Sequence, residues 1–386
     1  MKRVLIVSSN LRIGGIQRAL VNLLWEIHEK YEVTLLLFHP DGPLMREIPE
    51  DVKVLGVRSA YRFLGMTGRD ARSIGDRLGR GFFAGVTRML GRKAAIRLMA
   101  LGQEPITGFD AAVSYVHNGS DRAFYGGCNE FLLNHVRTQR KIAFLHCDYG
   151  RCGGNTRENA WIYAQFDRIA ACSGGCAASF RRGCPELADR VRVVPNCHRF
   201  ERIRTLGKEA IPMDRTKINI VTAARLGREK GVPRAVEAIA RLPERARLHY
   251  CIIGDGVERK AVEEAIRRYA LEETVTLCGE LENPWSYIRR ADLLLIPSVS
   301  EAAPLVIGEA ACLGTPVLST RTSSAEELIA APGHGWVCEN SVDGLRKGLE
   351  ALTAHPERLK EKRRELRGKS FDNARAVAQF EKLMEE

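Results

Sequence analysis

The stretch "LLLIPSVSEAAPLVIGEAACLGTPVLST" (Leu293–Thr320) holds one complete fold unit. An apolar run of strand length, "LLLIPS", leads into a polar loop and then a small, apolar segment. Gly314 and Pro316 end that segment ahead of a second apolar run, "PVLST". Proline suits the first turn of a helix and glycine its end, so the spacing predicts a helix from about Pro304 to Leu313, lying between two buried strands. Strand, helix, strand is the crossover unit of a parallel sheet. Two acids bracket the predicted helix start: Glu301 in the loop ahead of it and Glu309 in its second turn. A carboxylate in apolar surroundings is costly unless something pairs with it. A helix N-terminus at the carboxyl end of a parallel strand is where open α/β sheets bind ligands, and its N–H groups can hold phosphate. Two acceptors beside such a site suit the sugar hydroxyls on either side of a diphosphate.

The same grammar runs outward in both directions. Strand-like runs recur at "INIVTAAR", "LHYCIIG" and "VTLCG", separated by helical patterns such as "PRAVEAIARL" and "ERKAVEEAIRRYAL". The first half opens with "RVLIVSSN", "GIQRALVNLLWEIHEK" and "EVTLLLF". It resumes at "DAAVSYV", "RKIAFLHC", "RIAACS" and "RVRVVPN". Strand alternating with helix predicts a parallel sheet covered on both faces, twice over. The length of 386 residues supports two domains. The boundary falls near Pro195 and Asn196, where a polar, broken stretch begins. This gives an N-terminal domain over 1–195, a C-terminal domain over 196–365 and a C-terminal helix over 366–386 that returns to the first domain.

Composition narrows the class. A hydrophobic fraction of 45% and a charged fraction of 27% are those of a folded soluble chain. No apolar run reaches the roughly 18 residues of a spanning helix. The apolar run behind "MKR" is too short for a signal-peptide core and reads as a first buried strand. The eleven cysteines are scattered, with no C-x-x-C pair, so they are expected to be free thiols in a cytoplasmic protein. A net charge of +12 points to an anionic partner. No aromatic-interleaved basic motif supports nucleic acid.

Three further places carry candidate chemistry. In "AARLGREKG", Arg225 ends a strand and Lys230 follows a short loop, so two cations can neutralise a leaving diphosphate. In "SNLRIGGIQRAL", Gly14 and Gly15 let the backbone approach a ligand ahead of a helix start. In "AFLHCD", His146 stands at the end of a strand, with Asp148 two residues on. The glycine turn "IIGDGVER" is read as structural.

The Glu301-x7-Glu309 stretch resembles the signature of the family-4 retaining glycosyltransferases, with Ala302 and Ala303 where that family often has Gly and a larger residue. The likeness is strongest over Arg225–Cys338. It implies an α/β chain of two facing, Rossmann-like, doubly wound domains, the GT-B fold. It also implies that Glu301 contacts the transferred sugar and Glu309 the nucleotide ribose, beside the helix start at Pro304, Leu305 and Val306. Arg225 and Lys230 would hold the diphosphate, with the loop of Gly14 and Gly15 near the donor phosphate and acceptor. His146 would touch the sugar near its reacting carbon, and Asp148 would meet the acceptor. The implied activity is retaining, metal-independent transfer from a nucleotide-diphosphate sugar, by default UDP-linked, to a cell-surface or lipid-linked glycan. No cofactor is expected: the chain has no Asp-x-Asp, and its sequence shows no His/Cys cluster with metal-ligand spacing. The alternatives are a nucleotide-sugar 2-epimerase of the same fold and a nucleotide-binding homologue without catalysis.

The segment Arg58–Arg97 is the least regular and carries ten Arg or Lys against two Asp. Leu78, Phe82, Val86 and Leu90 recur every four residues, with Arg80, Arg88, Arg92 and Lys93 between them. Such a helix either packs its stripe on the N-terminal sheet or lays it on an anionic bilayer, at the inner face of the membrane. Gly79, Gly81, Gly85 and Gly91 weigh against a long helix there.

Overall fold

The computed structural model describes residues 1–68 and 70–385, so Arg69 and Glu386 lie outside it. The chain divides into two compact units, Met1–Cys197 with Asn373–Glu386, and His198–Asp372. The change of unit comes two residues after the expected boundary, and the returning segment begins at Asn373 rather than at 366.

Unit 1 is built on seven strands: β1 Arg3–Ser8, β2 Glu32–Leu37, β3 Lys53–Gly56, β4 Ala111–Ser114, β5 Arg140–Leu145, β6 Arg168–Ala171 and β7 Val191–Val193. Their order is β3-β2-β1-β4-β5-β6-β7, every pair parallel. The C-terminal helix Ala374–Glu385 puts Ala376, Phe380, Leu383 and Met384 into this unit's core beside Val4, Ile6 and Phe144.

Unit 2 has six parallel strands: β8 Ile218–Ala223, β9 Leu248–Ile253, β10 Val275–Gly279, β11 Leu293–Ile296, β12 Val317–Thr320 and β13 Gly335–Cys338. Their order, β10-β9-β8-β11-β12-β13, is the doubly wound Rossmann order. The two-residue period of a strand divides its side chains between two cores. Ile220, Leu293 and Leu295 enter one core under the helices Val232–Ala240, Arg259–Arg268 and Val342–Thr353. Val221, Leu294 and Ile296 enter the other, under Trp285–Arg290 and Leu305–Cys312. Each such buried Leu or Ile contributes roughly 1.5–3 kcal/mol, which explains why these strands read as unbroken apolar runs.

In each unit the winding direction reverses between two neighbouring central strands, β1 and β4 in the first and β8 and β11 in the second. Chain leaving such a pair turns to opposite faces of the sheet, opening a crevice at the strands' carboxyl ends. Arg225, Lys230 and Glu301 lie on the loops after β8 and β11. Gly14, Gly15 and His117 lie on those after β1 and β4.

Two edge strands, β3 "KVLG" and β13 "GWVC", were not legible in the sequence. They are four residues long and poorly buried. Gly335 reads as a breaker, yet a Cβ there would sit 1.8 Å from the Val317 carbonyl oxygen, so the close approach of β13 to β12 requires glycine.

The Arg58–Arg97 region forms the helices Ile74–Leu90 and Arg92–Met99, broken at Gly91 with φ +85°. Their stripe does not pack on the sheet. Leu78, Phe82 and Leu90 are 70%, 58% and 70% exposed, and Ile74 and Met89 are more exposed still. The inner row is Gly79, Phe83 and Thr87: Phe83 stacks on Phe63, and a Cβ at Gly79 would strike that ring at 2.4 Å. Arg88 and Lys93 are exposed as expected, but Arg92 is not part of the basic flank. It is 1% exposed and donates to Glu130 Oε1 at 2.8 Å, to Asn159 Oδ1 at 2.5 Å and to the carbonyls of Gly119 and Ser120 at 3.3 Å. No helix among the described residues is long and apolar enough to cross a membrane.

Candidate active site

In unit 2 the loop after β8 is shaped by glycines. Gly254 (φ +131°) and Gly256 (φ +158°) lie against the carbonyls of Ala224 and Leu226, where a Cβ would be 1.9 and 2.5 Å from oxygen. Leu226 N donates to Asp255 O at 2.9 Å and Glu258 N to Leu226 O at 2.9 Å. The "GDG" turn thus forms the bed on which Arg225 sits, which fits its structural reading. The Arg225 side chain is 70% exposed and donates to Glu229 Oε1 at 2.7 Å.

Lys230 ends a short turn, Arg228–Lys230, and Gly231 follows in the left-handed region (φ +60°). A Cβ on Gly231 would stand 2.4 Å from the Pro297 carbonyl oxygen, so glycine lets this turn press against the loop after β11. The two loops are bonded as well: Val299 N donates to Glu229 O at 2.8 Å. Arg234 Nη2 donates to Pro297 O at 2.6 Å and to Asn340 Oδ1 at 2.9 Å, and Asn340 in turn holds Val299 O at 3.0 Å.

This frame brings Lys230 to Glu301. Nζ lies 2.7 Å from Oε1, and the side chains are 23% and 10% exposed. Ser298 Oγ donates to the same oxygen at 2.7 Å, and Ser323 Oγ to the Glu301 carbonyl at 2.9 Å. Arg225 and Lys230 thus each have a carboxylate partner of their own. One is solvent-facing on Glu229, and the other is held on the mostly buried Glu301.

The predicted helix spans Leu305–Cys312 with Pro304 as its cap rather than its first residue. No side chain caps it, and the first-turn amides of a helix, here those of Leu305 and Val306, have no acceptor within the helix. These N–H groups and the positive end of the helix dipole make an anion seat. Glu309 is partly buried in the second turn. His198 braces this helix, its Nε2 lying 3.1 Å from Leu305 O. A Cβ at Gly308 would come within 2.6 Å of the same ring nitrogen. His198, Arg234 and Asn340 went unmarked in the sequence because each acts through contacts distant in the chain.

In unit 1, Gly15 opens the helix Gly15–Ile27 with nothing within 4 Å of where a Cβ would be, and Gly14 is extended at φ −178°. Local packing does not demand Gly15, and open space over a helix start suits a ligand. The preceding loop is tightly held. Asn10 Nδ2 donates to Gly65 O at 2.7 Å, and Arg12 bonds Asp41 and Asp70.

His146 follows β5, packed on Tyr115 and Phe144 with ring centroids 4.6 and 5.6 Å away. Its Nε2 is buried and makes no hydrogen bond among the described residues. Burial, helped by nearby His117, lowers its pKa to about 3, so the ring is neutral at physiological pH. An unpartnered neutral nitrogen at a sheet's carboxyl edge can accept or donate a hydrogen bond to a ligand. Asp148 Oδ1 accepts from Ser179 Oγ at 2.6 Å and from Arg151 N at 3.3 Å, so this carboxylate ties its own turn to the helix Gly174–Gly183.

Contrary to the expectation from spacing, a His/Cys cluster does exist: His117, Cys147 and Cys152 have ligand atoms within 4.8 Å of one another. Cys147 and Cys152 share a loop at C-x4-C spacing, the wide end of the range zinc sites use. His117 comes from another strand end.

The family model for glycosyl transferases group 1 matches residues 204–370. The putative colanic acid biosynthesis glycosyltransferase WcaL of Escherichia coli is 33% identical over 148 residues, 36% of this chain and 36% of that protein. The amylovoran biosynthesis glycosyltransferase AmsK of Erwinia amylovora is 30% identical over 179 residues, 44% of this chain and 42% of that one. The chain thus spans less than half the length of these curated relatives. The crystal structure of HepE from Anabaena in complex with UDP-glucose superposes over the whole of both chains with a TM-score of 0.68 at 16% identity.

Proposed function

From a chain with the GT-B architecture whose C-terminal unit is a glycosyl transferases group 1 domain, we propose a retaining glycosyltransferase that moves a sugar from a UDP-linked donor to a glycan under construction. The observation that carries this is the Lys230–Glu301 pair set beside an uncapped helix start at the switch point of unit 2. A diphosphate seated on the amides of Leu305 and Val306 places its sugar toward Glu301 and its ribose toward Glu309. As the bond from the anomeric carbon to the phosphate oxygen breaks, charge grows on the diphosphate, and Lys230 and Arg225 stabilise it without a bound divalent ion. The acceptor oxygen attacks on the face the diphosphate leaves, and its proton passes to the departing phosphate oxygen.

The test is a thermal-stability screen with UDP-, GDP- and ADP-sugars, since a ligand of the folded state raises stability with concentration. It is followed by transfer assays and determination of the product's anomeric configuration. Stabilisation by a UDP-sugar, with the donor's configuration kept, supports the reading. An inverted product, or magnesium or manganese restoring activity lost to EDTA, overturns the mechanism. A new nucleotide sugar formed without acceptor would make the protein an epimerase.

The acceptor reading draws on the exposed stripe. Ile74, Leu78, Phe82, Met89 and Leu90 stand out from unit 1 with Arg88 and Lys93 nearby. A lipid-linked acceptor would bring this face to an anionic bilayer at the membrane's inner surface, each basic residue contributing roughly 1 kcal/mol, screened by salt. Co-sedimentation with anionic vesicles should rise with anionic lipid content, fall with salt and weaken in Phe82→Ser. Binding indifferent to all three removes the docking face and leaves the transfer reaction untouched.

A further inference from the structure

We propose that His117, Cys147 and Cys152 form a binding site for a thiophilic divalent cation of the zinc class, held by two loops of unit 1. This inference is independent of the glycosyl-transfer reading. His117 lies three residues beyond β4 and Cys147 two beyond β5, so neighbouring strand ends deliver them to one place. Cys152 returns to Cys147 through a tight turn, in which the amides of Arg151 and Cys152 donate to Asp148 O at 3.0 and 2.9 Å. The two sulfurs are 3.1 Å apart, and one ring nitrogen of His117 is within 4.8 Å of both.

Zinc bonds thiolate at about 2.3 Å and imidazole at about 2.0 Å in a tetrahedron, which spaces neighbouring donors roughly 3.3–3.8 Å apart. The three donors reach that spacing through shifts of about 1.5 Å or less. Two sulfurs and one nitrogen select zinc-class cations over magnesium, calcium or manganese. Three protein donors leave a fourth position for water. Cys152 is partly exposed and gives the ion an entry path.

The chemistry of the donors fits. His117 is 7% exposed, and its Nδ1 is buried with no hydrogen-bond partner among the described residues, an expense a folded core rarely tolerates. Both loops are braced from outside. The buried Arg92 guanidinium holds the carbonyls of Gly119 and Ser120, and a Cβ at Gly153 (φ +74°) would meet Ser120 Cβ at 3.3 Å. The other cluster, His39 with Asp41 and Asp70, already holds the Arg12 guanidinium on both carboxylates and has no need of a metal. Filling the His117 site would fix the turn that carries Asp148, next to His146.

The experiment uses the full chain, reduced, metal-stripped and handled without oxygen, titrated with cobalt(II) as a spectroscopic stand-in for zinc. A thiolate-to-cobalt charge-transfer band with tetrahedral visible bands is expected, saturating at one cobalt per chain and bleached by zinc. Cys152→Ser and His117→Ala should each weaken cobalt binding by about 100-fold or more, while Cys251→Ser, in unit 2, should not. Thermal unfolding checks that the variants fold. Should His117→Ala fail to fold, Cys152→Ser at its partly exposed turn decides. No band from protein whose thiols titrate as free, or a band undiminished in Cys152→Ser, overturns the site.

Discussion

Replacing Lys230 by Met should separate what this lysine does for the fold from what it does for the reaction. The ammonium lies 2.7 Å from Glu301 Oε1, and the side chains are 23% and 10% exposed. Breaking a fully buried pair costs about 3–5 kcal/mol, and an exposed one contributes about 0–1. This pair is closer to the buried limit, but water reaches the lysine side and Ser298 still serves the orphaned carboxylate. Lys230→Met should therefore lower stability by about 1–2 kcal/mol. Glu301→Gln keeps the shape and removes the charge. In the double variant the two losses should fail to add, with a coupling of about 1 kcal/mol by denaturant unfolding. Catalysis should respond far more strongly. Losing one donor to a developing oxyanion typically costs 10²–10³ in turnover, about 2.7–4 kcal/mol, and Lys230→Met should do so in a donor-saturated transfer assay. A coupling below about 0.3 kcal/mol would mean that the pair does not form in solution. A turnover within tenfold of wild type would mean that Lys230 only holds Glu301 in place.

Arg225 gives the opposite contrast. Its exposed loop pair with Glu229 contributes about 0–1 kcal/mol, so Arg225→Ala should barely move the melting temperature while lowering turnover about 10²-fold or more; unchanged turnover removes it from the reaction. Glu309→Ala should weaken UDP binding about 10–100-fold by calorimetry, the loss of one charge-assisted hydrogen bond of roughly 1.5–3 kcal/mol. Glu301→Ala should leave UDP binding nearly unchanged while lowering transfer. Arg92→Met takes the guanidinium from Glu130, Asn159 and two carbonyls inside unit 1, leaving the buried Glu130 carboxylate with only the neutral Asn118 amide as donor among the described residues; unfolding should show a loss of about 3–5 kcal/mol, and a loss below about 1 would deny that the network is formed.

Both parallel sheets could be read from the sequence because a strand buried on two faces leaves an unbroken apolar run, as in "LLLIPS" and "RVLIVS", and a crossover must separate it from the next. The edges could not, since β3 and β13 are short and half wet. The acids and cations of unit 2 were legible because spacing along one loop and one helix turn is local information. Their partnerships were not: which cation meets which acid depends on Gly231 passing close to Pro297, a contact between loops 66 residues apart in sequence. Arg92 shows the same limit. In a stretch so rich in arginine it looked like one more solvated cation, and only the fold reveals that Glu130 and Asn159 enclose it.

The stripe on Ile74–Leu90 shows why periodicity names a face without saying where that face points. Two rows spaced four residues apart run along the helix, Ile74-Leu78-Phe82 on one side and Gly79-Phe83-Thr87 on the other. A helix serving only a soluble core turns its larger apolar row inward. Here the inner row has the smaller residues: the missing side chain at Gly79 lets the helix lie against Phe63, and Thr87 closes its hydroxyl onto the Phe83 carbonyl at 2.8 Å. The larger row is left in water, where each exposed leucine forgoes roughly 1.5–3 kcal/mol of burial. The glycines that argued against a helix thus allow one to dock by its smaller side. The inversion leaves an unpaired apolar row next to Arg88 and Lys93, the arrangement an anionic bilayer would cover.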